Sequence, residues 1–118
     1  MYYKIVNKTK NLVVAKKAIV ANNFFKRLKG YMFQKNISDD DALIFYNTPS
    51  IHMFFMYFPL DIVFLDDKYK VIKIYTNLKP WRLANCFGSK ITIELPAGKT
   101  IKIPIEEYDI LNFIPYAN

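Results

Sequence analysis

The sequence predicts a mainly β fold: a compact antiparallel barrel- or sandwich-like sheet of about seven short strands, with one short helix near residues 22–30. Three observations carry this. Apolar and polar residues alternate along short stretches, most cleanly at Lys90–Leu95, where Ile91, Ile93 and Leu95 share one face and Lys90, Thr92 and Glu94 the other. Turn-forming clusters separate these stretches. A helical period occurs only once, at Phe24, Phe25, Leu28 and Met32.

Taken in order, Tyr2–Val6 and Leu12–Val20 read as two strands joined by a turn at Asn7–Asn11. Asn22 caps the helix, and Gly30 stands where a helix commonly ends in a left-handed residue. A polar loop, Gln34–Asp41, precedes a strand at Ala42–Tyr46. Thr48, Pro49 and Ser50 turn the chain into the aromatic block Ile51–Phe58, which has no polar face and reads as a strand buried on both sides. Pro59 interrupts it, and Asp61–Leu65 resumes as a strand. Asp66, Asp67 and Lys68 form a hairpin turn into Tyr69–Tyr75, and Asn77–Gly88 is an irregular connection. After Lys90–Leu95, Pro96–Gly98 turns again; Ile101, Ile103 and Ile105 alternate like a strand, and Tyr108–Ile114 supplies the last one. No linker, repeat or low-complexity tract divides the 118 residues, so residues 1–118 are expected to form a single domain.

Composition bounds the function without naming it. The chain is 53% hydrophobic and 17% aromatic, with ten Phe and nine Tyr, and it can bury a core without metal or disulfide staples. A single Cys, Cys86, rules out an internal disulfide and a cysteine-built metal cage within one chain. The first 35 residues hold nine cations and no acid, so they carry +9 and the remainder −2. No signal peptide is visible, and the apolar run Ile51–Leu65 is too short and too polar to span a bilayer. The expected location is the cytoplasm, with no membrane association.

Three glycines cannot build a phosphate-cradling loop, and no cofactor or bound metal is expected from motifs of this kind. Any acid/base or nucleophilic constellation must use the one histidine, His52, which lies in the aromatic block beside Met53 and Met56. It is either a general acid/base, a soft ligand together with Met56, or a hydrogen-bonded histidine in an aromatic core. Asp61 requires a cation, backbone N–H donors or an exposed rim, because an unpaired buried carboxylate costs several kcal/mol. Arg82 is the natural partner to test. Trp81 and Arg82 together suit a ligand with a flat ring and an anionic group, or Trp81 simply anchors its loop. Glu94 falls on the polar face of its strand, which reads as solvated. Lys16, Lys17, Lys26, Arg27 and Lys29 form a basic set, yet Phe24 and Phe25 are needed for the core face of the helix. Charge without stacking groups binds nucleic acid weakly, so nucleic acid is disfavoured as a partner.

Taken together, SIHMFFMYFPLDIVFLD from Ser50, NLKPWR at Asn77–Arg82 and ELPAG at Glu94–Gly98 resemble the domain-of-unknown-function 192 family of small bacterial and archaeal proteins. Upstream, Ala21, Arg27, Gly30 and Met32 stand where that family has Ala, Arg, Gly and Met, and the similarity runs from about Lys4 to Leu111. Tyr31 replaces the usual Leu, Met53 a common Thr, and Pro104 the first glycine of a Gly-x-x-x-Gly-Asp approach to the last strand. Where the family tends to make a helical turn, Thr100–Ile105 here alternates like a strand. The resemblance implies a compact, mostly antiparallel β fold and no established activity. It also points to Arg27, His52, Asp61, Arg82 and Glu94, with Met32, Met56 and Trp81, as candidate ligand-binding residues, and some of them are expected to line one cleft, because isolated polar groups in so aromatic a protein would be costly. The function expected is a non-enzymatic module for a small anionic or aromatic ligand or a protein partner. The alternatives are a hydrolase or lyase with His52 and Asp61 as acid/base, and single-stranded nucleic-acid binding through the basic N-terminal third.

Overall fold

The computed structural model describes residues 2–21, 23 and 30–116. Among them lie nine strands and one helix: β1 (Tyr3–Asn7), β2 (Leu12–Val20), β3 (Asp41–Tyr46), β4 (Ser50–His52), β5 (Leu60–Leu65), β6 (Val71–Leu78), β7 (Leu83–Asn85), β8 (Ile91–Pro96), α1 (Lys99–Lys102) and β9 (Leu111–Pro115). The helix expected near residues 22–30 falls outside the described residues, apart from Asn23 and Gly30.

Seven strands form one sheet in the order β6-β5-β8-β3-β2-β1-β9, and β4 pairs with β7 in a separate two-stranded sheet. Every pairing is antiparallel except β2 with β3, which run parallel from Lys17 opposite Asp41 to Val20 opposite Ile44. The large sheet curls into a half-barrel. Its edges meet where Lys70 bridges Ile110, supported by the Leu111 N–H donating to the Tyr69 carbonyl at 2.9 Å. The hairpin expected at residues 66–68 is held by Asp66, whose Oδ1 accepts from the N–H groups of Lys68 (2.8 Å) and Lys70 (2.9 Å).

The sheet buries both faces. Val63, Leu65, Ile93 and Leu95 pack with Ile5, Val14, Ile44 and Leu111 on one side. Ile62 and Phe64 pack with Phe45, Ile51, Met53, Met56 and Ala84 on the other. Alternate residues of β5 thus enter different cores, and all six are buried. In β8 residues 91–95 are all buried, which corrects the expectation of a solvated polar face: Thr92 is covered by the segment at Thr48 and Glu94 by Gly30. Thr92 meets that burial by donating its hydroxyl to the Thr48 carbonyl.

Three further expectations are corrected. The block Ile51–Phe58 is not one strand, because β4 ends at His52 and the chain turns, with the Met56 N–H donating to the Met53 carbonyl at 3.4 Å. Phe55 is left-handed at φ 60, so strand alternation does not run through the block. Within the irregular stretch 77–88 the segment Leu83–Asn85 forms β7, because β4 offers it an edge. Thr100–Ile105 is not a strand either. Gly98 takes φ 89, and the N–H groups of Lys102 and Ile103 donate to the Gly98 and Lys99 carbonyls at 2.9 Å each, closing α1. That is the helical turn which the family resemblance implies. Ile101 is consequently exposed, while Ile105 returns to the core.

Candidate functional site

Burial dictates what Asp61 can do. Its carboxylate is fully enclosed on β5 and accepts four hydrogen bonds. The N–H groups of Asn77 (2.8 Å) and Gly98 (3.1 Å) reach Oδ1; the N–H (2.9 Å) and hydroxyl (2.6 Å) of Thr100 reach Oδ2. These donors replace the lost hydration. Asp61 therefore ties the end of β6 to the turn into α1, and its partners are backbone groups and Thr100 rather than Arg82.

His52 closes β4, half-buried, with its ring stacked on Phe54 at 4.9 Å between centroids. Its Nδ1 accepts the Phe54 N–H at 3.3 Å. No hydrogen bond among the described residues joins His52 to Asp61, whose oxygens are already engaged.

The turn after His52 carries a second group of rings. The Met53 N–H donates to the Arg82 carbonyl, and the Trp81 N–H to the Met53 carbonyl, both at 2.8 Å. This fixes the loop at 79–82 against that at 53–59. Met53 and Met56 turn inward and are buried; Phe54 and Phe55 turn outward. The Trp81 ring lies 5.7 Å from that of Phe54 and 5.0 Å from that of Phe55. Phe33 stacks on Phe55 at 5.2 Å, and its N–H donates to the Phe55 carbonyl at 3.0 Å. Phe33, Phe54, Phe55 and Trp81 are all exposed, Trp81 at 58%, and Arg82 and Leu83 are exposed beside them.

Three of these aromatic residues have left-handed backbones: Phe33 (φ 65), Phe55 (φ 60) and Trp81 (φ 68). A bulky side chain in that region costs about 1–2 kcal/mol. The Phe33 and Trp81 N–H bonds to the Phe55 and Met53 carbonyls hold these conformations in place. Tyr69 (φ 64) and Tyr108 (φ 74) take the same conformation away from this surface; what distinguishes Phe33, Phe55 and Trp81 is that their rings meet. The result is a preorganised platform of rings.

Glu94 lies apart from this surface, buried on the face of β8 opposite Ile93 and Leu95, with Leu43 and Ile62 as its cross-strand neighbours. Its Oε1 has no hydrogen-bond partner among the described residues. Burial pushes its carboxyl up to about 8. Gly30 packs directly over it: a Cβ there would stand 3.1 Å from Oε1. Tyr31 is buried next in the chain against Phe58, and burial, with the negative charge of Glu94, pushes its phenol upward.

Of the sequence candidates, Trp81 and Arg82 lie on the ring platform and His52 borders it. Met56 is buried beneath, Met32 is half-buried, and Asp61 and Glu94 are interior. Arg27 lies outside the described residues. Phe54 and Phe55 carry no sequence sign of exposure, because an apolar run with no polar face reads as core, and Phe33, beside the polar loop Gln34–Asp41, belongs to no motif that marks it. An open groove of about 400 Å³ lies elsewhere, at the junction of β6 and β9, lined by Lys8, Lys68, Tyr69 and residues 110–113. None of the candidates lines it. Among the described residues, no group of three or more His, Cys, Asp or Glu side chains converges as a metal site would require. No helix among them is long and apolar enough to cross a membrane.

The model of the domain-of-unknown-function 192 family, described as an uncharacterised ACR, matches residues 5–113. The UPF0127 protein TK1120 of Thermococcus kodakarensis is 34% identical over 118 aligned residues, covering 94% of this chain and 73% of that protein. A Novosphingobium aromaticivorans protein of unknown function has a similar structure, with a TM-score of 0.80 at 21% identity over 93% of this chain and 82% of its own. A Sinorhizobium meliloti protein described as a proposed transcription regulator gives 0.82 at 19% identity, over 94% and 91%. At these identities the two structures establish the shared fold alone.

Proposed function

The chain belongs to the domain-of-unknown-function 192 family, and within it we propose a non-enzymatic binding module whose binding face is the ring platform of Phe33, Phe54, Phe55 and Trp81. The ligand carries a flat ring and an anionic group. Trp81 with Phe54 and Phe55 offers the surface for the ring, and the adjacent exposed Arg82 supplies a guanidinium for the anion.

One observation carries this reading. Phe33, Phe55 and Trp81, three of the eight non-glycine residues with positive φ among those described, converge on one surface with their rings exposed, and hydrogen bonds between the loops hold them there. Such rigidity reduces the entropy lost when a ligand binds. A catalytic role for His52 and Asp61 draws no comparable support, since the histidine bonds to Phe54 and the carboxylate to its four donors.

Trp81 is the only tryptophan, so its emission reports this face directly. Titration with thymidine monophosphate and with naphthalene sulfonate is expected to change Trp81 emission, and Arg82→Ala to weaken the effect. Saturation with neither probe at millimolar concentration, or responses indifferent to Arg82, would count against the module.

A further inference from the structure

Cations stand close in sequence to two of the platform rings, while the loop that carries Phe33 also holds Asp39 and Asp40. Trp81 lies between Lys79 and Arg82, and Phe33 is followed by Lys35. No Asp or Glu occurs from residue 42 to 60, the stretch that supplies Phe54 and Phe55. None occurs from 68 to 93 either, where Lys68, Lys70, Lys73, Lys79, Arg82 and Lys90 stand. Lys79, Arg82 and Lys35 are exposed. Read from the sequence, the basic set from Lys16 to Lys29 lacks stacking groups free of the core. At the platform, exposed cations are sequence neighbours of exposed rings: Lys79 and Arg82 of Trp81, and Lys35 of Phe33.

Resting on the reading of the platform as the binding face, we propose that its ligand is single-stranded nucleic acid: unpaired bases stack on Trp81, Phe54 and Phe55 while Arg82, Lys79 and Lys35 meet the phosphates. A strand of unpaired bases supplies repeated flat rings and an anionic charge with each one. A duplex keeps its base faces stacked internally and offers this surface only phosphate. A second copy of the chain, docked face to face about a two-fold axis, would set Lys79 and Arg82 against like charges. A bilayer is fluid and imposes no fixed ring positions, whereas here Phe33 and Trp81 are positioned by backbone hydrogen bonds at 3.0 and 2.8 Å. An acidic peptide matches the charge but does not bring a flat face to each ring.

The test uses the full chain with fluorescein-labelled oligo(dT) and oligo(U) of about fifteen nucleotides, within the span of known single-strand sites. Anisotropy and Trp81 emission are read as salt is raised. Quenching of Trp81, affinity that falls with salt, and binding at least about tenfold tighter than that of a duplex of equal length are expected. Trp81→Ala and Phe54→Ala, read by anisotropy after circular dichroism shows them folded, each weaken binding about tenfold. Arg82→Gln weakens binding and flattens the salt dependence. Lys16→Gln with Lys17→Gln, on exposed positions of β2, leaves binding nearly unchanged.

The proposal is overturned by an absence of oligonucleotide binding at low salt. Binding insensitive to both Trp81→Ala and Phe54→Ala overturns it too, as does binding that depends mainly on Lys16 and Lys17. Phosphatidylglycerol vesicles that quench Trp81 when oligonucleotides do not would assign the face to membranes. If thymidine monophosphate quenches Trp81 and the oligonucleotides bind no more tightly, the small-ligand module stands and this extension falls. If none of the probes acts at Trp81, both fall together.

Discussion

The rings of Phe55 and Trp81 meet edge to face, 5.0 Å apart between centroids at 61°, while both residues hold left-handed backbones. The two lie on different loops, joined by the bond from the Trp81 N–H to the Met53 carbonyl. A left-handed tryptophan is destabilising in itself. Its presence at an exposed position, where a glycine would serve the turn better, links the backbone to the ring it displays.

This strain is measurable. Trp81→Gly is expected to leave the protein more stable than Trp81→Ala by about 1 kcal/mol, because only glycine adopts φ 68 without a steric penalty. Both variants lose the ring, so the difference isolates the backbone. Urea unfolding gives the comparison, and an alanine variant as stable as the glycine variant would remove the evidence for strain.

Asp61 should behave as a structural knot. Thr100→Val deletes the 2.6 Å hydroxyl donor and is expected to cost about 2 kcal/mol, as hydrogen bonds to charged groups do. Asp61→Ala leaves the Asn77, Gly98 and Thr100 donors without their acceptor and costs more than about 3 kcal/mol. Thermal and denaturant unfolding check both values; a Thr100→Val cost below about 0.5 kcal/mol contradicts the assignment.

The raised carboxyl of Glu94 makes stability depend on pH with a definite sign. In the folded chain it keeps its proton up to about 8, whereas in the unfolded chain it ionises near the ordinary value of 4.5. Between those values the folded state binds the extra proton, so stability falls as pH rises through this window and then levels off. Glu94→Gln should remove that decline while leaving stability near pH 4 little changed. Unfolding free energies from pH 4 to 9 test it, and a wild-type profile as flat as that of the variant would refute the burial of an ionisable Glu94.

Gly30 is expected to resist substitution for two separable reasons. Its φ of 49 disfavours any L side chain, and a Cβ would crowd Glu94 Oε1 at 3.1 Å. Gly30→Ala should cost about 1–2 kcal/mol. In a Glu94→Ala background the crowding disappears and the cost of Gly30→Ala shrinks. A double-mutant cycle reads the coupling, and strict additivity contradicts the contact.

How far the sequence disclosed this arrangement depended on whether the controlling force was local. The strands at Leu12–Val20, Ala42–Tyr46 and Asp61–Leu65 and the Asp66 turn were legible, because alternation and turn chemistry act between near neighbours. Asp61 was legible in kind: a lone carboxylate in an apolar run demands donors, though not which ones. Thr100–Ile105 misled, since its isoleucine alternation resembles a strand while Gly98 and the Asp61 bonds, 37 and 39 residues distant, wind it into α1. Glu94 misled in the opposite direction, because alternation shows two faces but not that a second layer covers the polar one. The outward turn of Phe54 and Phe55 left no periodic trace. Composition marks them as core, and only the bonds from Phe33 and Trp81 set them on the surface.

The most direct test of the ring platform as the binding face is a two-dimensional ¹H–¹⁵N NMR titration of the full chain with unlabelled oligo(dT). Shift changes are expected to concentrate at Phe33, Phe54, Phe55, Arg82 and the backbone and indole N–H of Trp81, with β2 and the β6–β9 groove nearly silent. Changes centred on Lys16 and Lys17, or on residues 110–113 of the groove, with the Trp81 indole unmoved, would contradict it.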